Sequence, residues 1–143
     1  MIPEKVDSFI QENFKKGNVV CLTGAGISAE SGIATFRGKG GLWERYDPEK
    51  FAHAQGLTST FRTHPQELVN FIIDFYSVLL KAQPNPAHFA LAVLAKENIL
   101  SAIITQNIDN LHQRAGSRNV IELHGNAFRI KCTNCSKEIA LEK

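Results

Sequence analysis

The stretch that decides the fold is CLTGAGISAESGIATFRG, residues 21–38. It overlaps a compact apolar run, Val19–Thr23, which is typical of a strand buried on both faces of a sheet. Gly24, Gly26 and Ala29 then fit the spacing G-x-G-x-x-G/A. Glycines at these positions let the backbone approach a pyrophosphate, and a following helix N-terminus favours its negative charge. The same spacing also occurs in ordinary strand-to-helix turns.

Strand and helix patterns alternate along the rest of the chain. Two further apolar runs, Leu100–Thr105 and Val120–Leu123, predict buried strands. The first predicted helix covers residues 3–16, and a second begins at Ser28. A third begins after Thr63, which is expected to cap it, and a fourth runs from Asn85 to about Lys96. The glycine-rich segment 34–62 is expected to form a long loop with at most short helical turns. This alternation predicts an α/β protein with a parallel sheet.

Composition excludes several classes of protein. The 143 residues are 43% hydrophobic and 21% charged, with a formal charge of only +2, so a nucleic-acid-binding surface is not expected. No apolar run approaches the roughly 20 residues of a membrane span, and the charged N-terminus lacks the apolar core of a signal peptide. Three cysteines do not suggest a secreted disulfide framework. We therefore expect a cytoplasmic protein without membrane contact.

Polar turns follow the second and third predicted strands. They read Gln106-Asn107-Ile108-Asp109 and His124-Gly125. Ligands of open α/β sheets bind at the carboxyl ends of the strands, so these turns and the glycine turn should converge on one crevice. Amide and carboxylate groups can bind ribose hydroxyls or a carboxamide, and histidine is the usual general base near neutral pH. The alternative is that Asn107 and Asp109 only cap the next helix.

A conventional dehydrogenase is disfavoured by one missing residue. Dinucleotide folds usually place an acidic residue about 20 positions after the glycine turn, at the end of the next strand. In this sequence Glu44 and Asp47 fall in the predicted loop instead.

Six sequence blocks together resemble the sirtuin family, the NAD-dependent protein-lysine deacylases. They are GAGISAESGIATFRG (24–38), GLW (41–43), PNPAH (84–88), TQNIDNLHQRAG (105–116), ELHG (122–125) and CTNC (132–135). The blocks stand in the family's order from about Val19 to Cys135. The resemblance implies a Rossmann-like NAD-binding domain and transfer of an acyl group from a protein lysine to ADP-ribose, with release of nicotinamide.

The resemblance also assigns roles to residues. It implies that His124 is the general base and that Asn107 belongs to the catalytic set. It implies cofactor contacts for Gly24, Ala25, Gly26, Ser28, Ile33, Phe36, Arg37, Gln106, Asn107, Ile108 and Asp109. Sirtuins that prefer acidic acyl groups carry a Tyr and an Arg on the helix before the PNPAH block. Those positions are Ile72 and Phe75 here, so acetyl or longer apolar acyl groups are expected.

Cys132 and Cys135 would form half of the family's structural zinc site. A structural zinc ion needs four ligands, and a second C-x-x-C pair would follow some 15–20 residues later. The alternative is a redox C-x-x-C pair. The expected organisation is therefore a Rossmann-like portion, 1–127, with the cofactor loop 34–62, followed by the first half of a zinc module, 128–143.

Because the resemblance stops inside the zinc module, we expect the chain to be the N-terminal part of a sirtuin, with an incomplete sheet and no activity alone. An acyl-lysine protein is the expected partner. A non-catalytic remnant or interaction module is one alternative. Mono-ADP-ribosyl transfer from the same cofactor site is another.

Overall fold

The computed structural model describes residues 4–33, 41–132 and 134–141. Its helices are α1 (Glu4–Lys16), α2 (Pro48–Phe51), α3 (Ala54–Thr63), α4 (Pro65–Lys81), α5 (Pro86–Lys96) and α6 (Leu111–Arg114). Its strands are β1 (Val19–Thr23), β2 (Leu100–Thr105), β3 (Val120–Glu122), β4 (Arg129–Lys131) and β5 (Glu138–Ala140). The chain divides into two compact units: unit 1, Met1–Ile27 with Pro84–Lys143, and unit 2, Ser28–Gln83. Among the described helices, none combines the length and apolar character that crossing a membrane requires.

A parallel three-stranded sheet in the order β1-β2-β3 forms the centre of unit 1. The sheet and the alternation of strands with helices confirm the predicted α/β class. In the register, Thr23 lies opposite Thr105, and Thr105 lies opposite Glu122. The carboxyl ends of all three strands are therefore level at one edge. The predicted boundary at residue 127 remains a prediction.

The expectation that β1 is buried on both faces is wrong. Val20 and Leu22 remain 52% and 65% exposed, whereas Thr23 is buried. Successive side chains of a strand point to opposite faces, so only one face of β1 is covered. Helix α5 contacts β2, and Ile103 of β2 and Leu111 of α6 are almost completely buried.

The glycine turn enters a 3-10 helix over Ala25–Ser31 instead of an α-helix that begins at Ser28. Its tight bonds connect residues three apart, with Ile27 N donating to Gly24 O at 3.1 Å. The helix therefore begins within the glycine turn, three residues earlier than the sequence pattern predicts. The division between the two units falls inside this segment.

The long loop predicted for residues 34–62 is also wrong for most of its described part, because unit 2 places α2 and most of the ten-residue α3 there. The His53 ring caps α3 by accepting a hydrogen bond from Gly56 N through Nδ1 at 3.0 Å. A Cβ atom at Gly56 would lie 2.2 Å from Glu49 O. This glycine permits close packing of two helices and does not mark a loop.

The Thr63 cap is a fourth difference. Thr63 ends α3, and its hydroxyl donates to Ser59 O at 2.9 Å. His64 occupies the N-cap position of α4 without a side-chain capping bond, and Pro65 is the first helical residue. Proline suits this position because its missing N–H would have no partner within the helix.

Aromatic rings form the core of unit 2. The Phe51 and Phe71 rings stack with centroids 4.4 Å apart, and the Tyr46 ring meets both edge-on. Asp74 on α4 accepts hydrogen bonds from Tyr46 Oη and Arg45 Nη2, each at 2.6 Å. The segment before α2 is thus held to α4 by both ring packing and an ion pair.

We predict that Gly56→Ala destabilises the chain, although this change ordinarily stabilises a helix by about 0.5–1 kcal/mol. The added Cβ would overlap backbone oxygens of Glu49 and Lys50. Overpacking of this kind costs about 1–3 kcal/mol. Urea unfolding measures the difference, with Ser59→Ala on the exposed face of α3 as the control. A Gly56→Ala chain as stable as the control would contradict the packing described here.

Candidate functional site

The polar turns at the carboxyl ends of β1, β2 and β3 are joined by hydrogen bonds. Asn107 Nδ2 donates to Gly24 O at 3.1 Å, and Gln106 N donates to Thr23 O at 3.0 Å. His124 Nδ1 lies 3.0 Å from Gln106 O. The convergence expected from the sequence is therefore present within unit 1.

The glycine turn presents open backbone at this edge. A Cβ atom at Gly24 or Gly26 would meet no atom of the described residues within 4 Å, and neither glycine has a left-handed φ. Neither packing against the described chain nor backbone conformation therefore requires glycine at these two positions. The open space beside the backbone is suited to a ligand that must approach the peptide groups closely.

Asn107 and Asp109 are both buried, with 7% and 5% of their surface exposed, but they do different things. Asp109 Oδ1 accepts from Leu111 N at 2.9 Å, which satisfies a donor at the start of α6. Asn107 instead directs its side-chain amide to the glycine turn, while its own N–H donates to Thr105 Oγ1 at 3.0 Å. Asp109 therefore caps the start of α6, whereas the side-chain amide of Asn107 holds the glycine turn.

The tautomer of His124 follows from its hydrogen bond. A carbonyl oxygen only accepts, so the ring must donate to Gln106 O through Nδ1–H. In the neutral ring Nε2 then carries a lone pair. Since His124 is exposed at the carboxyl edge, this nitrogen can take a proton from a bound substrate.

Glu122 connects the third turn to its surroundings. Its carboxylate accepts bonds from Gln113 Nε2 and Asn126 Nδ2, each at 2.6 Å, and pairs with the guanidinium of Arg129. The Glu122 side chain is only 9% exposed. Three donors from three segments therefore compensate this nearly buried charge.

A buried histidine pair lies behind the turns, and the sequence pattern did not assign it to the site. His88 and His112 are 0% and 1% exposed, and their ring centroids are 4.9 Å apart. His112 Nε2 lies 2.9 Å from Thr23 Oγ1. Burial, and then the His88 ring, lower the pKa of His112 to about 4, whereas Asp109 opposes the shift. Burial also lowers the pKa of His88.

The expected cofactor residues are distributed over both units and a segment that the structure does not describe. Ser28 and Ile33 belong to unit 2, where Ile33 N donates to Ser28 O at 3.4 Å. Phe36 and Arg37 lie outside the described residues. The remaining members of the expected set are in unit 1: Gly24, Ala25, Gly26, Gln106, Asn107, Ile108, Asp109 and His124.

Cys132 and Cys135 lie between the two strands of an antiparallel hairpin formed by β4 and β5. Both cysteines are exposed. Hydrogen bonds from the backbone of Cys135 and Asn134 lower the pKa of the Cys132 thiol, and the Cys135 side chain adds to this effect. A thiolate is the form that binds zinc. The described residues contain no group of three or more metal-binding side chains.

Comparison with known proteins identifies the family. The model of the Sir2 family matches residues 24–143. The chain belongs to the Sir2 family. The NAD-dependent protein deacylase of Pyrococcus abyssi is 53% identical over 119 residues, which cover 83% of this Sir2 chain and 46% of the relative. NAD-dependent protein deacylase 2 of Archaeoglobus fulgidus is 51% identical over 121 residues, which cover 85% and 46%.

Solved Sir2 structures also match the fold. A Sir2 homologue variant in complex with ADP-ribose has a TM-score of 0.80 at 42% identity, covering 97% of this chain and 53% of that one. A Sir2 homologue in complex with NAD has a TM-score of 0.76 at 43% identity, covering 94% and 51%. The three-stranded sheet is thus part of the Sir2 Rossmann-like fold, and the chain spans about half the length of these relatives.

We predict that the stability of this Sir2 chain falls as pH drops from about 6.5 to about 4. The unfolded chain binds a proton on His112 near pH 6.5, whereas the folded chain resists it until about pH 4. Stability is fully present above this window, and its loss from this residue is on the order of 3 kcal/mol. Urea unfolding against pH measures the slope. His112→Gln should flatten it, and the exposed control His64→Gln should not. An equal slope in all three chains would contradict the shift.

Proposed function

We propose that the protein that carries this chain is an NAD-dependent protein-lysine deacylase. Family membership and the names of its relatives support this activity. The observation that carries the proposal is the meeting of an open glycine turn, a buried amide and an exposed histidine at one edge of the sheet, linked by hydrogen bonds. Such an edge is where open α/β sheets bind nucleotides.

NAD would lie across this edge. The open peptide groups at Gly24, Ala25 and Gly26 would approach the pyrophosphate. The turn from Gln106 to Asp109 would hold the nicotinamide and its ribose, with Asn107 fixed against the glycine turn. The family resemblance implies four further contacts with NAD, from Ser28, Ile33, Phe36 and Arg37.

His124 would act as the general base through Nε2. In the reaction implied by the family, NAD would supply the ribose C1′ that the acyl oxygen of the lysine substrate attacks, with nicotinamide as the leaving group. His124 would accept the proton of a ribose hydroxyl whose oxygen attacks the acyl carbon, and free lysine and an O-acyl-ADP-ribose would be the further products. Its Nδ1–H bond to Gln106 O would orient the ring and stabilise the imidazolium formed.

A structural zinc ion is the second expected group. Cys132 and Cys135 fit two of its four ligands, because they lie in one hairpin connection and backbone N–H groups favour the thiolate of Cys132. When bound, the ion would supply no chemistry to the reaction and would stabilise the hairpin. Two further ligands would have to come from outside the described residues.

A protein carrying an acyl-lysine is the proposed partner, in the cytoplasm, with acetyl or longer apolar acyl groups preferred. One solved Sir2 relative, at 40% identity and a TM-score of 0.76, was crystallised with a deacetylated p53 peptide. ADP-ribosyl transfer would use the same NAD site. Assay of both products with one protein preparation separates the two reactions.

We predict that His124→Ala lowers deacetylation by at least about 100-fold, the usual contribution of a general base. The protein that carries this chain is assayed for release of nicotinamide and free lysine from an acetylated peptide. His64→Ala, in an exposed histidine of unit 2, is the matched control and should keep wild-type turnover. Absence of NAD-dependent deacylation in the wild-type protein would contradict the proposed function. Full activity of His124→Ala would contradict the role of His124.

We predict that Gly24→Ala weakens NAD binding at least tenfold while changing the free energy of unfolding by less than about 0.5 kcal/mol. The added methyl group meets no described atom of the chain but would occupy space beside the peptide groups that approach the pyrophosphate. Calorimetric titration with NAD and urea unfolding measure the two quantities. Unchanged affinity would place the pyrophosphate elsewhere, and a large loss of stability would show that the glycine serves the fold.

A further inference from the structure

We propose that His112 and His88 are positioning residues that hold the two ends of the glycine turn as neutral imidazoles. His112 acts through the hydroxyl of Thr23 and His88 through Asn85. The inference rests on the proposed function, because it assumes that NAD lies on this turn.

Three side chains from distant parts of the sequence hold the turn. His112 Nε2 contacts Thr23 Oγ1 at 2.9 Å at the end of β1. Asn85 Nδ2 donates to Ile27 O at 2.7 Å, and Asn107 Nδ2 donates to Gly24 O at 3.1 Å. The turn is therefore held at its beginning, through Thr23 and Gly24, and at its end, through Ile27, while the space beside the glycine backbone remains open.

The protonation state of His88 follows from its partner. The backbone N–H of Asn85 donates to His88 Nδ1 at 3.3 Å, so Nδ1 is unprotonated and the proton of the neutral ring is on Nε2. This bond completes a capping box at the start of α5. A second proton on the ring would occupy Nδ1 and remove the bond that orients Asn85. Neutral His88 is thus required for the tie to Ile27.

Burial keeps the pair neutral. The two rings are in contact, with centroids 4.9 Å apart, and a charge on one disfavours a charge on the other. Asp109 is the acidic group whose field reaches both rings, and it opposes this effect without cancelling it. Among the described residues, His88 Nε2 and His112 Nδ1 have no hydrogen-bond partner. One ring nitrogen of each histidine is therefore buried without a hydrogen bond to the described residues.

These contacts predict that Thr23 and His112 affect ligand binding through each other. Thr23→Val keeps the volume of the buried side chain but removes the hydroxyl that His112 contacts. We expect it to weaken ADP-ribose binding about three- to tenfold, the usual value of one hydrogen bond. His112→Leu should weaken binding at least as much, and His112→Gln, whose amide can reach Thr23, should restore most of the affinity. His112→Leu should add little in a Thr23→Val background.

Calorimetric titration of the protein that carries this chain with ADP-ribose provides the test. Thr60→Val, a similarly buried threonine of unit 2, is the matched control and should bind like the wild type. If the wild type does not bind ADP-ribose, the proposed function and this inference are both overturned. If the wild type binds and Thr23→Val binds equally well, only this inference is overturned. Equal losses from His112→Gln and His112→Leu would also overturn it.

Ring ¹⁵N NMR spectra of the wild type give a second readout that needs no ligand. The expected spectrum has His88 neutral at pH 7 with its proton on Nε2, and His112 neutral at the same pH. Loss of the Thr23 hydroxyl should shift the ¹⁵N resonance of His112 Nε2 and leave the His88 tautomer unchanged. A proton on His88 Nδ1, or a charged pair at pH 7, would overturn the proposal.

Discussion

The register of three short parallel strands is the constraint on which the rest of unit 1 depends. Thr23, Thr105 and Glu122 lie side by side, so the chain leaves all three strands at one level. A slip of one residue would reverse the faces of every side chain in the slipped strand. It would also separate Asn107 from Gly24 and His124 from Gln106, which are joined only because their strands end together.

Much of this fold could be predicted from apolar runs. The bounds of β1 and β2 agree with the sequence pattern because both runs contain several β-branched residues, which favour strands. The helix α3 could not be predicted in this way. Gly56 indicates a loop in sequence, whereas its actual role is to let the backbone of α2 approach, a contact that sequence alone does not display. Thr63 is mistaken for a cap because α3 and α4 are separated by His64 alone, so the sequence shows no loop between them.

The candidate site could likewise be predicted from the sequence only in part. Polar turns after strands indicated Asn107 and His124, and family resemblance gave them roles. No local pattern indicated the contact between Thr23 and His112, which are 89 positions apart. The tautomers of His88 and His124 are likewise fixed by backbone groups elsewhere in the fold. The sequence shows where each histidine is, but the groups around the ring determine which of its nitrogens carries the proton.

The shared carboxylate of Glu122 links two parts of unit 1, in addition to the bond from Arg129 N to Asn126 O at 3.2 Å. Arg129 begins the hairpin that carries the cysteines, while Asn126 lies in the turn that follows His124. One nearly buried acceptor serves both segments, and Gln113 of α6 as well. A displacement of the hairpin therefore moves an anchor of the turn that follows β3. Order in the cysteine hairpin and the position of the turn that carries His124 are therefore coupled, and the Glu122 carboxylate contributes to that coupling.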